Sequence, residues 1–331
     1  MDLALISKYR TQLMGLAILW VMFCHSHIDV SSSNFLSAIK WSGPMGVDIF
    51  MFVSGFGIYY SLSKNSSLKT YYKNRILRII PYYTPIVLLY SLFQYSQNIW
   101  GVDTVIKNVL TINYWLGADY SHIFDWYVPA IIVIYALSPL FYKFFKKKKN
   151  LTTIVTIGIF YIINFFIIGT KYTYLGLVVM RVPIYIAGFW IADYVKNNQN
   201  TKLSLLQKTI AILALIAGFS FIAYLGIFHQ DSYVIYFLYG IGLAVIPFCL
   251  IYSYLFSLLP KFKFPILTLC GTYSLTLYIF HERVLNILTL NNIIEYKDII
   301  AFIITFALAI SWPKFVDFIL AKTIQPKVYS A

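Results

Sequence analysis

Residues 45–63 read MGVDIFMFVSGFGIYYSLS. A helix needs about 20 mostly apolar residues to cross the hydrocarbon core of a bilayer, and this run supplies them with one charge, Asp48, close to its start. A helix with no charged face has lipid or protein, not water, as its surroundings. The reading of this segment decides the class of the chain.

The same pattern recurs outward in both directions. Apolar runs cover 13–30, 45–63, 79–97, 126–145, 151–170, 174–195, 208–228, 233–259, 265–290 and 299–320. Of the 331 residues, 60% are hydrophobic and 11% charged, with mean hydropathy +0.73. Soluble domains carry about 25% charged residues, so this chain cannot cover a water-facing surface. The expected fold is an all-α bundle of about ten transmembrane helices, a single domain over 1–331. The stretch 98–125 is broken by Asp103, Lys107, Asp119, His122 and Asp125 and is expected to be an outer loop, with a short interfacial helix around 104–116. Cys24, Cys249 and Cys270 lie inside apolar runs without paired spacing and read as small buried hydrophobes. No cleavable leader is evident, and the first run is expected to be retained as a signal anchor.

The net charge of +14 would suit a nucleic acid, but the basic residues lie in short loops between apolar runs. There they set orientation instead, because short cytoplasmic loops are rich in Lys and Arg. With the N-terminus inside, the inner segments hold Lys8 and Arg10; Lys64, Lys69, Lys73, Arg75 and Arg78; Lys143 and Lys146 to Lys149; Lys196, Lys202 and Lys208; Lys261 and Lys263; and Lys314, Lys322 and Lys327. The outer segments hold Lys40, Lys107, Lys171 and Lys297, while Arg181 and Arg283 fall within runs. Both termini are therefore expected in the cytoplasm, and no nucleic-acid partner is expected.

An ionisable group inside a membrane span costs roughly 2.5–3.5 kcal/mol on insertion scales and marks a functional candidate. The first run carries His25 in its outer half, followed by His27 and Asp29. Asp48 enters the second run at a depth expected to match His25, where a carboxylate would orient an imidazole as a general base. The ninth run carries His281, Glu282 and Arg283 in its outer half, and Arg181 sits inside the sixth. His25, His27 and His281 are potential metal ligands. However, two residues apart on a helix point about 200° apart, and no metal is expected. Arg75 and Arg78 are three apart and share a helix face, which suits the phosphates of a cytoplasmic cofactor as well as it suits a topology signal.

Taken in order, several segments resemble the membrane acyltransferase family 3, over nearly the whole chain. They are Gly15-Leu16-Ala17-Ile18-Leu19 leading to His25, and Gly46-Val47-Asp48-Ile49-Phe50 with Ser54-Gly55-Phe56. Next come Arg75-Ile76-Leu77-Arg78-Ile79-Ile80-Pro81, and Trp126-Tyr127 before Tyr135 and Pro139. Last are Gly271-Thr272-Tyr273-Ser274-Leu275 and Tyr278-Ile279-Phe280-His281-Glu282. The resemblance implies acyl-CoA, most simply acetyl-CoA, as cytoplasmic donor and a carbohydrate hydroxyl as acceptor, in a multi-pass protein of a bacterial cytoplasmic membrane. It implies that His25 is catalytic and that Arg75 and Arg78 help to bind the donor. The family arginine eleven positions before the histidine is Met14 here, so Arg10 or Arg181 would take its place.

These readings combine into an O-acetyltransferase acting on a cell-surface or capsular polysaccharide or its lipid-linked precursor. His25, oriented by Asp48, would deprotonate the acceptor or relay the acyl group. His281 and Glu282 would form a second polar cluster, and Trp126 and Tyr127 would either stack on a sugar or sit as interfacial belt residues. Membrane lipids surround the bundle, and a second copy or glycan-assembly proteins are candidate partners. A proton-coupled transporter or flippase of a lipid-linked sugar is the rival reading, since intramembrane His, Glu and Arg also mark substrate paths. Matched halves, common in transporters, are not evident. A glycan polymerase would need a larger outer loop than 98–125.

Overall fold

The computed structural model describes residues 1–64, 67–228, 234–290 and 297–324. Regular structure among them is helical, apart from one antiparallel bridge between Asp2 and Lys202. Eight helical segments are long and apolar enough to cross a membrane. They are Met45–Leu62, Leu68–Ser96, Tyr127–Lys147, Lys149–Ile167, Thr173–Asn197, Leu205–Gly226, Tyr236–Leu258 and Lys297–Lys322. Each falls on an expected run, and the all-α class stands. Lys327, expected on the inner side, lies outside the described residues.

The other two expected runs form shorter helices. The first is helical only over Arg10–His25. Ser26 leaves the helix at ψ 155°, its hydroxyl donates to the Phe23 carbonyl (2.8 Å), and Asp29 accepts the Ser31 amide (2.9 Å). Ser33 then caps a further helix, Asn34–Trp41, by accepting the Leu36 amide. Short polar side chains that bind nearby backbone end a helix where hydropathy alone would continue it. The ninth run is divided into Pro265–Thr272 and Ser274–Leu290.

The chain folds as two compact units, each assembled from separate stretches. The first comprises Met1–Leu68 and Ala130–Thr272. Its helices meet through glycine notches. A methyl group on Gly55 would strike the Tyr185 carbonyl, and one on Gly188 would strike that of Phe52. The Met45–Leu62 and Val182–Asn197 helices therefore touch backbone to backbone. Gly15 against Leu267 and Gly271 against Thr11 do the same for Arg10–His25 and Pro265–Thr272. In lipid there is little hydrophobic drive between helices, so association relies on close van der Waals approach at small residues. These notches fix the register of the helices that carry Arg10, Asp48 and Arg181.

The second unit comprises Lys69–Pro129 and the residues from Tyr273 onward. The Ser274–Leu290 and Lys297–Ile324 helices pack through Leu285, Leu288 and Ala301. The Trp312 indole donates to the Tyr82 carbonyl (3.0 Å), and Tyr82 donates to Asp317. The interfacial helix expected around 104–116 is Val102–Val109. The loop that follows is pinned by buried asparagines: Asn108 accepts the Phe124 amide (2.9 Å), and Asn108 and Asn113 both donate to the His122 carbonyl (2.9 and 2.7 Å).

Candidate functional site

In the first unit, His25 is the last residue of its helix and is exposed, as is His27. Arg10 opens the same helix, fifteen residues earlier. At 1.5 Å per residue the two lie about 22 Å apart along the axis. The Arg10 guanidinium occupies the space left by Gly57, with Nη1 2.9 Å from where a Cβ would stand. Arg10 and His25 thus serve opposite ends of the helix.

Asp48 enters its helix deeper than the end that carries His25. Gly43 packs on Cys24 and Gly46 on Ala17 and Val21, a register that carries Asp48 roughly 10 Å, about two turns, deeper than His25. There its Oδ2 accepts from the Arg181 Nε at 3.2 Å, with the two side chains 0% and 2% exposed. Arg181 lies at the break between the helices Gly176–Val179 and Val182–Asn197, where Pro183 favours a new helix start. The break frees the Leu177 carbonyl, which accepts from the Arg181 Nη1 at 2.8 Å. Burying two charges is tolerable because each neutralises the other and the guanidinium is further hydrogen-bonded. Two residues picked out separately in the sequence are therefore one element.

A second polar cluster in this unit escaped the sequence reading. Asp193 accepts from the Tyr59 hydroxyl (2.5 Å), Lys149 Nζ (2.7 Å) and the Asn197 amide (2.9 Å). Lys146 lies 3.9 Å from the same carboxylate. The signal was an acid within an apolar run, masked by its position near the run's end.

In the second unit, Arg75 and Arg78 lie on the Leu68–Ser96 helix, half-buried and exposed respectively. The Arg75 guanidinium rests over the Tyr71 ring at 5.8 Å. Trp126 and Tyr127 are not belt residues facing outward; both are buried, 9% and 8% exposed, and the Tyr127 ring packs edge-on to Tyr278 at 5.2 Å.

His281 is buried, and its Nδ1 stands 2.6 Å from the Tyr278 carbonyl. A carbonyl oxygen can only accept, so Nδ1 is the donor, and in the neutral ring the lone pair then falls on Nε2. That is the tautomer of a general base working through Nε2. Glu282 pairs with Arg283 at 3.2 Å. The Arg283 guanidinium donates to the Phe124 carbonyl and lies over the Phe124 and Tyr90 rings at 4.6 and 5.3 Å. A cavity of about 10 Å³, room for about one water, is lined by Phe124, Asp125, Tyr278, Ile279, Glu282 and Arg283.

Asp125, passed over in the sequence as a loop acid, is half-buried there. It accepts from the Tyr83 hydroxyl (2.6 Å) and from the Val128 amide (2.7 Å), which caps the following helix. Burial pushes its carboxyl above the ordinary aspartate range. An Asp three residues ahead of an apolar amide is the N-terminal signal that could have found it.

Against known proteins, a family model described as an acyltransferase domain matches residues 12–314. The chain is also 27% identical over 210 residues to a protein of Acidianus two-tailed virus that is provisionally named an acetyltransferase. The match spans 62% of this chain and 62% of the viral protein's length. No solved structure matches.

Proposed function

Since the chain belongs to the membrane acyltransferase family 3, its family model matching residues 12–314, we propose that it is an O-acetyltransferase. It would carry an acetyl group from cytoplasmic acetyl-CoA to a hydroxyl of a cell-surface polysaccharide or its lipid-linked precursor, in a cell membrane with both termini inside. The observation that supports the chemistry is the His281 Nδ1–H held by the Tyr278 carbonyl, which in the neutral ring puts the lone pair on Nε2.

In this reading an imidazole takes the acceptor's proton as its oxygen attacks the thioester carbonyl. The tetrahedral intermediate collapses with cleavage of the C–S bond, and the CoA thiolate leaves and collects the proton. The products are the acetyl ester and CoA. A positioned base is worth about 10²–10⁴-fold at a hydroxyl. His25, the exposed helix terminus singled out by its motif, is assigned as catalytic histidine, and His281 with Glu282 as the supporting acid–base pair.

Arg75 and Arg78 are assigned to the donor's phosphates, with Arg10 in place of the arginine that Met14 replaces. Arg181 is assigned, through its pair with Asp48, to holding the helices. Trp126 and Tyr127 line the acceptor side. Membranes holding wild-type protein and given acetyl-labelled acetyl-CoA should yield labelled glycan, and His25→Ala should abolish it at equal protein level. Full labelling by the variant would remove His25 from the chemistry, and sugar flux without label would replace acyl transfer with transport.

A further inference from the structure

We infer that the first unit carries a binding groove for one anionic phospholipid. The helices Tyr127–Lys147, Lys149–Ile167 and Val182–Asn197 enclose a groove of about 620 Å³, within the roughly 300–1,000 Å³ usual for small-molecule sites. Leu137, Phe141, Phe144, Leu151, Val155 and Phe160 are among its walls. Leu137, Phe144, Leu151 and Val155 are 57%, 52%, 54% and 48% exposed, so the groove opens outward and is not a sealed void.

The Ser138 and Tyr185 hydroxyls in its wall are already hydrogen-bonded. The Ser138 hydroxyl donates to the Ile134 carbonyl (2.6 Å), so its contact with Tyr185 (2.7 Å) must be donated by the tyrosine. The wall therefore calls for a hydrocarbon, not for a polar ligand.

Charge identifies the rest of the occupant. The run Lys146 to Lys149 divides in two. Lys146 and Lys149 turn to Asp193, whereas Lys147 and Lys148 line the groove and are exposed. Among the described residues neither Lys147 nor Lys148 forms an ion pair. An apolar trough ending at two lysines fits an acyl chain whose phosphate sits at the lysine end, and the lysines' stems add apolar surface to the mouth. A neutral-headed lipid would fill the trough but leave the lysines unmatched. A soluble phosphate would meet the lysines but not the trough.

The test is native mass spectrometry of the purified full chain, titrated with phosphatidylglycerol or phosphatidylcholine of the same chain length. Phosphatidylglycerol should be retained in preference as a single adduct. Lys147→Gln with Lys148→Gln should weaken it by roughly fivefold for each lysine, while Lys146→Gln should not. Val155→Trp should displace both lipids by filling the trough. Equal retention of the two lipids, a preference that survives the double lysine variant, or unchanged stoichiometry in Val155→Trp would each overturn the inference. The two lysines are exposed and outside the packed interior, so their loss is not expected to unfold the protein.

Discussion

Replacing Asp48 by Ala should be among the most damaging single changes in the first unit. The carboxylate is fully buried and is the ion-pair partner of Arg181, itself 2% exposed, at 3.2 Å. Removing it leaves a guanidinium in a dry site with the Leu177 carbonyl still accepting from one nitrogen. Breaking a buried pair by deleting one member costs about 3–5 kcal/mol, because the remaining charge is uncompensated. Asp48→Asn keeps an oxygen for the guanidinium and should cost less, about 1–3 kcal/mol. The diagnostic variant is the double change Asp48→Leu with Arg181→Met. Hydrophobic replacements of buried pairs are often neutral or stabilising, so the double variant should be more stable than Asp48→Ala alone. The assay is unfolding against SDS mole fraction in mixed micelles, analysed as a double-mutant cycle. An Asp48→Ala loss below about 1 kcal/mol, or additive single losses, would refute the pairing as a structural element.

Other consequences follow from the same geometry. Gly55→Leu or Gly188→Leu drives a side chain into the opposing backbone and should cost about 1–3 kcal/mol or more, seen as loss of the monodisperse peak in size exclusion. His281→Asn keeps a donor for the Tyr278 carbonyl but removes the supporting acid–base imidazole, so transfer should fall by up to about 10²-fold with normal folding. Asp125 binds its proton more tightly in the folded chain than in the unfolded one, because burial raises its carboxyl. Its contribution therefore falls as pH climbs above the ordinary value of about 3.9, until the folded-state carboxyl has itself titrated. Asp125→Asn should flatten that part of the stability–pH curve.

Hydropathy and charge were enough to read the helical class, the eight long spans and the isolated position of Asp48. They could not supply the partner of Asp48, because Arg181 lies 133 residues away and helix register decides the meeting. That register depends on glycines, whose role as notches shows only once the opposing backbone is known. The first run looked helical to residue 30 because its hydropathy continues. The helix stops at His25 because Ser26 and Asp29 bind local backbone. Trp126 and Tyr127 looked equally suited to a membrane belt, since an aromatic side chain carries no mark of whether it faces lipid or protein. Asp125 and Asn108 read as loop polarity, yet both are structural acceptors, the first half-buried and the second buried.

The most direct measurement of the central claim is the proton NMR spectrum of surface glycan from cells expressing the wild-type chain, His25→Ala, or neither. O-acetyl methyl signals are expected with the wild-type chain and none in the other two samples. O-acetyl signals of equal intensity in all three would contradict it.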